Sequence, residues 1–352
     1  MTMRDLTYLF AYLIPLSGWM ALELRGPWSW ATMILAFVII PVLDATLPPD
    51  TRNVPREQEE MRSRRLFFDL LLYICAPICW FITWKYFVVI SSVQLAAAEV
   101  IGLTLSTGVV LGATGINVAH ELGHRSHALP RLFSKAGLLP VLYQHFYVEH
   151  NRGHHKYVAT PEDPATARMN ENVYGFFLRT IPAQYRSAWR IESSRLAKAG
   201  KSFWSINNTM LRFTLYNLVY LGVVCFMFGA TMLPYALAIA LTGVLLLEVI
   251  NYIEHYGLLR RELNDGSYER VMPRHSWNSD HCLGRIMLFE LTRHSDHHYL
   301  ASRKYQILRH LDESPQLPTG YPGSMLMALV PPLWMKVMNK RLPHMQAGES
   351  HT

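Results

Sequence analysis

The chain has 352 residues, of which 51% are hydrophobic and 17% are charged, and its formal net charge is +7. In a soluble protein that charge would suggest nucleic acid as a partner. Here the apolar residues are concentrated in long runs, which indicate membrane spans, and the basic excess is attributed to cytoplasmic loops rather than to nucleic acid. No CxxC pair occurs among the four cysteines, which excludes a zinc ribbon or a rubredoxin-type iron site.

Six apolar runs have roughly the 20 residues that are needed to cross the hydrocarbon core of a bilayer. They cover residues 6–24, 28–47, 66–90, 93–117, 211–231 and 233–256. A further apolar stretch at 324–338 is short and contains two adjacent prolines, so we expect it to lie at the interface rather than to cross. The sequence therefore predicts an all-α integral membrane protein with six transmembrane helices.

The polar segments between these runs fall on two sides of the membrane. If the N-terminus is cytoplasmic, the segments on that side carry nearly all of the Lys and Arg, as the positive-inside rule requires; they are 1–5, 48–65, 118–210 and 257–352. We therefore predict a multi-pass protein with both termini in the cytoplasm. Residues 1–352 are predicted to form one domain, in which segments 118–210 and 257–352 make a helical, histidine-rich catalytic region.

Nine of the 16 histidines occur in four short stretches at or beyond the ends of predicted spans. The stretches are HELGH, EHNRGHH, NYIEHYGL and RHSDHH, with His120 and His124, then His150, His154 and His155, then His255, then His294, His297 and His298. Imidazoles at i, i+3 and i+4 share a helix face. A zinc site uses three or four protein ligands, so nine imidazoles on one side of a membrane predict two metal ions.

The chemistry of the ligands narrows the choice of metal. HELGH alone is typical of a zinc protease with Glu121 as the base, but that reading leaves seven histidines unexplained. A metal transporter would place histidines along the spans rather than at their ends. Imidazole suits zinc, copper, iron or nickel, and zinc has no redox chemistry. Without a haem or flavin motif, a binuclear imidazole site at a membrane boundary indicates non-haem iron and dioxygen as a co-substrate.

HELGHR, EHNRGHH, NYIEHYGL and LTRHSDHHYLASRKYQILRH together resemble the histidine motifs of the integral-membrane alkane 1-monooxygenases. These enzymes are relatives of the membrane fatty-acid desaturases and xylene monooxygenases. The resemblance covers the whole chain, and it implies a di-iron enzyme of the bacterial inner membrane with its site in the cytoplasm. The implied reaction converts the terminal methyl of medium-to-long-chain n-alkanes to 1-alkanols. A fatty-acyl desaturase and an aromatic methyl hydroxylase of the xylene type remain as alternatives.

Carried over residue by residue, the resemblance implies nine iron ligands, which are His120, His124, His150, His154, His155, His255, His294, His297 and His298. Three carboxylates adjacent to these ligands, Glu121, Glu254 and Asp296, are candidate catalytic groups. Adjacent residues point to different sides of a helix, so we expect some of the three to form salt bridges directed away from the metal. Asp163, shortly after the second stretch, is a weaker candidate.

The resemblance also implies electrons from NADH through a rubredoxin reductase and rubredoxin. Four scattered cysteines cannot form a rubredoxin site, so the donor is expected to be a separate chain. Arg303, Lys304 and Arg309, just after the last histidine stretch, are candidate docking residues for an acidic donor, and ordinary positive-inside charge is the alternative explanation.

The substrate is expected to be apolar and to enter from the bilayer, among the membrane lipids. Phe37, Trp30 and Trp80 lie in the second and third predicted spans and are bulky enough to limit the length of a bound chain. We therefore predict that these three side chains line a substrate channel.

Overall fold

The computed structural model describes residues 3–342, and within them the chain is helical and forms no strand. The N-terminal residues 1–2 and residues 343–352, which include both predicted cytoplasmic termini, lie outside the described part. The helical elements in chain order are Met3–Leu6, Thr7–Tyr12, Leu13–Leu24, Gly26–Thr46, Arg56–Ser63, Leu66–Ser92, Ala97–Gly123, Ala128–Leu138, Phe146–Glu149, His150–His154, His155–Tyr157, Val173–Lys198, Thr209–Phe228, Ala230–His255, Pro273–His275, Cys282–Met287, His294–Tyr299, Tyr305–Ile307, Tyr321–Ala328 and Pro331–Met338.

Five of these helices are long and apolar enough to cross a membrane. They are Gly26–Thr46, Leu66–Ser92, Ala97–Gly123, Thr209–Phe228 and Ala230–His255, and each overlaps one of the predicted spans. The apolar stretch at 324–338 forms parts of two short helices, Tyr321–Ala328 and Pro331–Met338, and is not a further span. The prediction of a helical, multi-pass protein is confirmed.

The first predicted span, 6–24, is not among the five. The 3₁₀ turn Thr7–Tyr12 separates the short helix Met3–Leu6 from Leu13–Leu24. This turn is bound to other segments of the protein, since the Tyr12 hydroxyl donates to the Leu71 carbonyl oxygen at 2.5 Å and the Tyr8 hydroxyl donates to Glu290. Tyrosines at these positions bind distant polar partners, which hydrophobicity alone does not indicate.

The fourth predicted span, 93–117, is displaced along the chain and becomes Ala97–Gly123. Its start is determined by Glu99, which accepts hydrogen bonds from the backbone N–H groups of Ala96 and Gly26 at 2.9 and 2.7 Å. A carboxylate in the first turn caps otherwise unsatisfied N–H groups, so the helix begins there. At its other end the helix continues through His120 and thus holds that imidazole on a rigid element.

Glycines bring the Ala97–Gly123 and Ala230–His255 helices unusually close together. A Cβ atom at Gly108 would lie 2.3 Å from Thr242 Cβ, and one at Gly112 would lie 2.6 Å from Leu246 Cδ2. Only glycine allows this approach, as in other small-residue helix contacts in membranes. Because both helices end in metal-site histidines, their close packing brings His120 and His255 to the same end of the bundle.

The polar segment after Ala230–His255 is anchored to the rest of the chain by buried ion pairs. Arg285 Nη2 lies 2.9 Å from Asp50 Oδ2, and Arg285 Nε lies 3.1 Å from Glu290 Oε2. All three side chains are less than 10% exposed. Removing one partner of a buried pair leaves an uncompensated charge and costs about 3–5 kcal/mol, so this network holds the last histidine stretch in place.

Candidate metal centre

The structure brings all nine predicted histidines together in two clusters. The first cluster contains five imidazoles and the second contains four; they are His120, His124, His150, His155 and His297, and then His154, His255, His294 and His298. Within each cluster the ring nitrogens lie within 4.8 Å of one another. Four separate parts of the chain therefore meet at one end of the helical bundle.

The imidazoles of the first cluster point their Nε2 atoms at a common centre. The Nε2 atoms of His120 and His297 are 2.9 Å apart, and those of His297 and His155 are 3.1 Å apart. His150 Nε2 lies 3.0 Å from His155 Nε2 and 3.2 Å from His124 Nε2. The same nitrogen of five rings thus converges on one small volume.

The second cluster has the same pattern with four rings. The Nε2 atoms of His298 and His294 are 2.9 Å apart, and those of His294 and His255 are 3.2 Å apart. His154 Nε2 lies 3.2 Å from His298 Nε2. All four residues are less than 9% exposed, so the cluster is shielded from water.

Two helical segments contribute to both clusters. In His294–Tyr299, one turn directs His297 into the first cluster and both His294 and His298 into the second. In residues 146–157, His150–His154 is wound as a π-helix, so His150 pairs with His155 in the first cluster and His154 turns to the second. The sequence spacing predicts one shared face for His294, His297 and His298, whereas the structure divides them between the two clusters. Because each of these two segments supplies histidines to both clusters, each segment connects the clusters.

Burial favours the neutral form of several of the clustered imidazoles. It lowers the pKa of His150, His155, His294 and His297 well below the usual value for histidine, and neighbouring imidazoles add to the effect. A neutral imidazole has a free lone pair, which is the form that binds metals. Nine converging imidazole nitrogens are unfavourable as ordinary protein core, because their neighbours at this centre are mainly other imidazoles, which cannot all donate to one another.

The arrangement fits metal ions held by imidazole nitrogen. Two nitrogens that bind one ion at about 2.1 Å, at right angles to each other, are about 3.0 Å apart. The neighbouring Nε2 pairs of both clusters are separated by 2.9 to 3.2 Å. Since thiolate is absent from both clusters and imidazole suits zinc, copper, iron and nickel, the donors restrict the metal to this group without selecting one.

Of the three candidate catalytic carboxylates, Glu254 faces the metal centre. Its Oε2 atom lies 3.2 Å from His294 Nε2, and its Oε1 atom accepts a hydrogen bond from the Tyr321 hydroxyl at 2.8 Å. Glu254 is 1% exposed and lines a small cavity with His120 and His150. Sequence reasoning did not identify Tyr321, because it lies 67 residues away on a helix without a histidine motif.

The other two candidate carboxylates form salt bridges with basic residues. Glu121 pairs with Arg125 and accepts the backbone N–H of Tyr305 at 3.2 Å. Asp296 accepts from the Arg309 side chain at 2.7 Å and from its backbone N–H at 2.9 Å. The expectation that some of the acids would bond away from the metal applies to these two, which join histidine-bearing helices to the segment after residue 300.

Asp163 binds His154 through the ring nitrogen that does not point to the second cluster. Its Oδ2 atom lies 2.9 Å from His154 Nδ1 and also accepts a hydrogen bond from the Thr166 hydroxyl at 2.6 Å. Burial acts to raise the pKa of Asp163, but His154 and Thr166 outweigh it and hold that pKa below its usual value. A carboxylate on Nδ1 directs Nε2 to the metal, so Asp163 has a stronger claim than its sequence position suggested.

Two small cavities share a lining residue, and histidines line the first of them. The first, of about 20 Å³, is lined by imidazoles and by Glu254 and Asn251, and has room for about one water-sized molecule. The second, of about 40 Å³, lies among the spans and is lined by apolar side chains that include Phe37, Val109 and Met325. Both are lined by Ile250, so an apolar space directly adjoins the metal centre.

The three predicted channel residues therefore lie in different surroundings. Phe37 lines the apolar cavity. Trp30 lies against Gly102, 18 residues before His120 and thus about 27 Å away along the helix. The Trp80 indole N–H donates to the Ala136 carbonyl oxygen at 3.0 Å, and its ring meets Tyr220 edge to face. Phe37 alone of the three lines either of these two cavities.

The three predicted docking cations are each paired with a carboxylate of this chain. Arg303 lies 2.7 Å from Glu59, and Lys304 lies 3.1 Å from Asp69. Arg309 pairs with Asp296, as described above. Their side chains are 11 to 26% exposed, so intramolecular partners offset much of their charge.

Comparisons with known proteins agree with this site. The family model described as Fatty acid desaturase matches residues 96–326. The chain is 39% identical to an alkane 1-monooxygenase of Pseudomonas putida, over 94% of this chain and 85% of the relative. It is 38% identical to alkane 1-monooxygenase 1 of Alcanivorax borkumensis, over 96% and 82%. A xylene/toluene monooxygenase hydroxylase component of Pseudomonas putida is 28% identical, over 94% and 87%.

The match to the alkane enzymes spans both the membrane helices and the histidine stretches, and it is closer than the match to the xylene enzyme. By sequence, by helical membrane architecture and by its paired histidine clusters, the chain belongs to the alkane 1-monooxygenase family, within the larger family of membrane fatty acid desaturases and hydroxylases.

Proposed function

We propose that this protein is a di-iron alkane 1-monooxygenase, which hydroxylates the terminal methyl group of medium-to-long-chain n-alkanes. One atom of O2 enters the C–H bond to give a 1-alkanol, and the other leaves as water with two electrons and two protons from a donor. One observation carries the proposal: nine imidazoles meet in two clusters beside an apolar cavity within the spans. The identity of 36–39% to seven alkane 1-monooxygenases supports it.

One iron ion would be held by each cluster, with the nine histidines as ligands. Bound iron supplies the activation of dioxygen that an unactivated C–H bond requires. The chain contributes the geometry: Asp163 fixes the His154 ring, and Glu254 places a carboxylate at the wall of the cavity. The apolar residues around Ile250 exclude water from the site and accept an apolar chain end.

We further propose that residues 6–24 form a sixth span, so that both termini and the metal centre face the cytoplasm of a bacterial inner membrane. Support comes from the concentration of Lys and Arg in segments 48–65, 118–210 and 257–352. Labelling of single introduced cysteines in intact cells tests this orientation. Reaction at residues 200 or 266 with a reagent that does not cross the membrane would contradict it.

Electrons are proposed to come from NADH through a separate rubredoxin and its reductase. Arg303, Lys304 and Arg309 would then add attraction for an acidic donor, beyond their pairs with Glu59, Asp69 and Asp296. Turnover at limiting rubredoxin should fall as ionic strength rises, because salt screens attraction between exposed charges. Turnover that does not change with salt would remove this part of the proposal.

The central experiment is reconstitution of the purified protein with iron, rubredoxin, reductase and NADH. Octane, hexadecane, xylene and a fatty-acyl thioester are supplied separately, and the products are identified by chromatography. We expect 1-alkanols as the main products, with two irons per chain. Faster turnover of xylene, or desaturation of the thioester, would favour one of the two related activities. His297→Ala is the inactive control, and its helical content is measured to verify that it folds.

A further inference from the structure

A basic groove lies apart from the metal centre, on the outer surface of the described residues. It has a volume of about 850 Å³ and runs between helix Ala128–Leu138, residues 146–157 and the start of helix Thr209–Phe228. Five of its twelve lining residues are cationic and none is acidic; the five are Arg131, Lys135, Arg152, Arg195 and Arg212. The proposed reaction does not use these five side chains, although Arg152 lies within the EHNRGHH stretch.

The positive charge of the groove is only partly compensated. Glu192, beneath it, accepts from Arg195 at 2.7 and 2.8 Å and from the backbone N–H of Thr209 at 2.6 Å, while Arg152 lies 3.4 Å away. That one carboxylate is therefore already saturated. Within residues 3–342, no salt bridge joins Arg131 or Arg212 to a carboxylate, and the buried Arg212 Nε atom has no hydrogen-bond partner.

Lys135 is central to this excess of charge. Its Nζ atom lies over the ring of Tyr147, 4.7 Å from the centroid, and it has no salt bridge to another described residue. Partial burial lowers the pKa of Lys135, and the charges of Arg212, Arg131 and Arg152 lower it further. Four cations that repel one another around one concave surface are stabilised when an anion binds among them.

The groove lies where the protein enters the membrane. Arg212 is in the first turn of the span Thr209–Phe228, and helix Ala128–Leu138 is bound to the span Leu66–Ser92 through the Trp80 indole. Apolar side chains that line the groove are highly exposed: Leu129 is 54% exposed, Leu132 62% and Ile206 82%. Exposed apolar side chains beside basic residues at the end of a span are typical of a membrane interface.

We propose that this groove binds the phosphate headgroup of an anionic membrane lipid. Arg131, Lys135 and Arg212 would donate to the phosphate oxygens, and the acyl chains would lie along the exposed apolar face of Thr209–Phe228, which includes Leu215 and Leu218. Such a lipid would clamp three segments together, one of which, residues 146–157, carries three of the histidines. An acidic soluble protein fits less well, because it would have to cover the exposed Leu129, Leu132 and Ile206.

The test uses the purified full-length protein, stripped of lipid in a non-ionic detergent. Phosphatidylglycerol, phosphatidylcholine or sodium phosphate is added, and binding is followed by native mass spectrometry and by the midpoint of thermal unfolding. We expect phosphatidylglycerol to bind at least about tenfold more tightly than phosphatidylcholine, and each of Arg131→Gln, Lys135→Gln and Arg212→Gln to weaken it about fivefold. Lys135→Arg, which keeps the charge, should bind as the unchanged protein does.

Arg64→Gln is the matched control, since Arg64 is 77% exposed and lies two residues before the span Leu66–Ser92. It should bind phosphatidylglycerol normally. Equal binding of the two lipids, or a preference that survives all three glutamine substitutions together, would overturn the proposal. So would protection by sodium phosphate at the same concentration as the lipid. Loss of an acidic protein's binding in these variants, with lipid binding unchanged, would assign the groove to a protein partner instead.

Discussion

The Nε2 atoms of His150 and His155 lie 3.0 Å apart, although the two residues are five positions apart in sequence. In an α-helix, His150 would share a face with His154 at i+4. The π-helical turn His150–His154 inserts one residue, so that i and i+5 face each other and His154 turns to the second cluster. Local helix winding thus distributes one sequence motif between two clusters.

Deleting Asn151 should remove this distribution. The shortened turn would favour α-helical winding, in which the histidines can no longer supply both clusters, and we expect at least one of two bound irons to be lost. Asn151→Ala keeps the length of the turn and should retain both irons, because the Asn151 side chain bonds to the Tyr147 carbonyl oxygen rather than to a histidine. Elemental mass spectrometry measures the number of irons bound per chain in each variant. A deletion variant with two irons would contradict the role of the turn.

Asp163→Asn should weaken metal binding in the second cluster. The amide cannot hold the His154 Nδ1–H as a carboxylate does, and loss of such a partner typically lowers metal affinity about 10- to 100-fold. Competition with a chelator measures this change for each iron separately. Glu162→Gln alters the adjacent, exposed acid and serves as the control. If the two variants retain iron equally, Asp163 has only a packing role.

Glu254→Gln should lower turnover about 100-fold or more while iron remains bound, because a carboxylate within reach of a reacting group commonly contributes a factor of about 10² to 10⁴. Glu121→Gln removes a partner of Arg125 and should act on stability rather than on turnover of the folded protein. For both variants, the turnover of alkanol, the NADH consumed and the bound iron are measured. Equal losses of turnover in the two variants would refute the distinction.

Phe37→Ala should shift the product profile toward longer alkanes, because it enlarges the apolar cavity beside the metal centre. Trp80→Phe removes the hydrogen bond to Ala136 and should cost about 1 kcal/mol of stability with little change in the profile. Competition among alkanes of graded length, read by chromatography, compares the two variants. A shift with Trp80→Phe and none with Phe37→Ala would show that the chain lies elsewhere.

His145 should make stability depend on pH. Burial lowers the pKa of His145 to about 3, whereas the same side chain in the unfolded protein takes up a proton near pH 6.5. His145 therefore has no effect on stability above pH 6.5. Below that pH the unfolded state gains a proton that the folded state does not bind, so the free energy of unfolding falls as pH drops from 6.5 toward 3. Within this range the free energy of unfolding falls by about 1.4 kcal/mol per pH unit. His145→Phe keeps the ring contacts with Tyr143 and Tyr185. Between pH 6.5 and 5 its free energy of unfolding should fall by about 2 kcal/mol less than that of the unchanged protein.

Unfolding in mixed detergent at several pH values measures this difference. His127→Phe changes an exposed histidine of the same polar segment and is the matched control. If the free energy of unfolding of His145→Phe and of the unchanged protein had the same pH dependence, His145 would bind a proton as readily in the native state as in the unfolded chain, which would contradict this prediction.

Several features could be predicted from the sequence because their signals are local. Twenty-residue apolar runs identify spans, and five of the six were found within a few residues of their helices. The spacing of the histidines within three short stretches, and the position of His255 at the end of a predicted span, identified every member of both clusters. The N-terminal run 6–24 remains a predicted span; its sequence did not indicate the interrupted helix or the bonds of its tyrosines to Leu71 and Glu290, because these partners are remote in sequence.

The amino-acid sequence by itself therefore determined the helical membrane architecture, the nine metal-site imidazoles and the family, since hydrophobic length and ligand spacing are properties of short segments. Only the tertiary structure decided how the nine divide into five and four, that Glu254 faces the centre while Glu121 and Asp296 do not, and that Phe37 lines the cavity. The physical reason is that these outcomes depend on helix winding and on contacts between segments far apart in the chain. Neighbouring residues on one helix face different surroundings, and those surroundings exist only once the helices have packed.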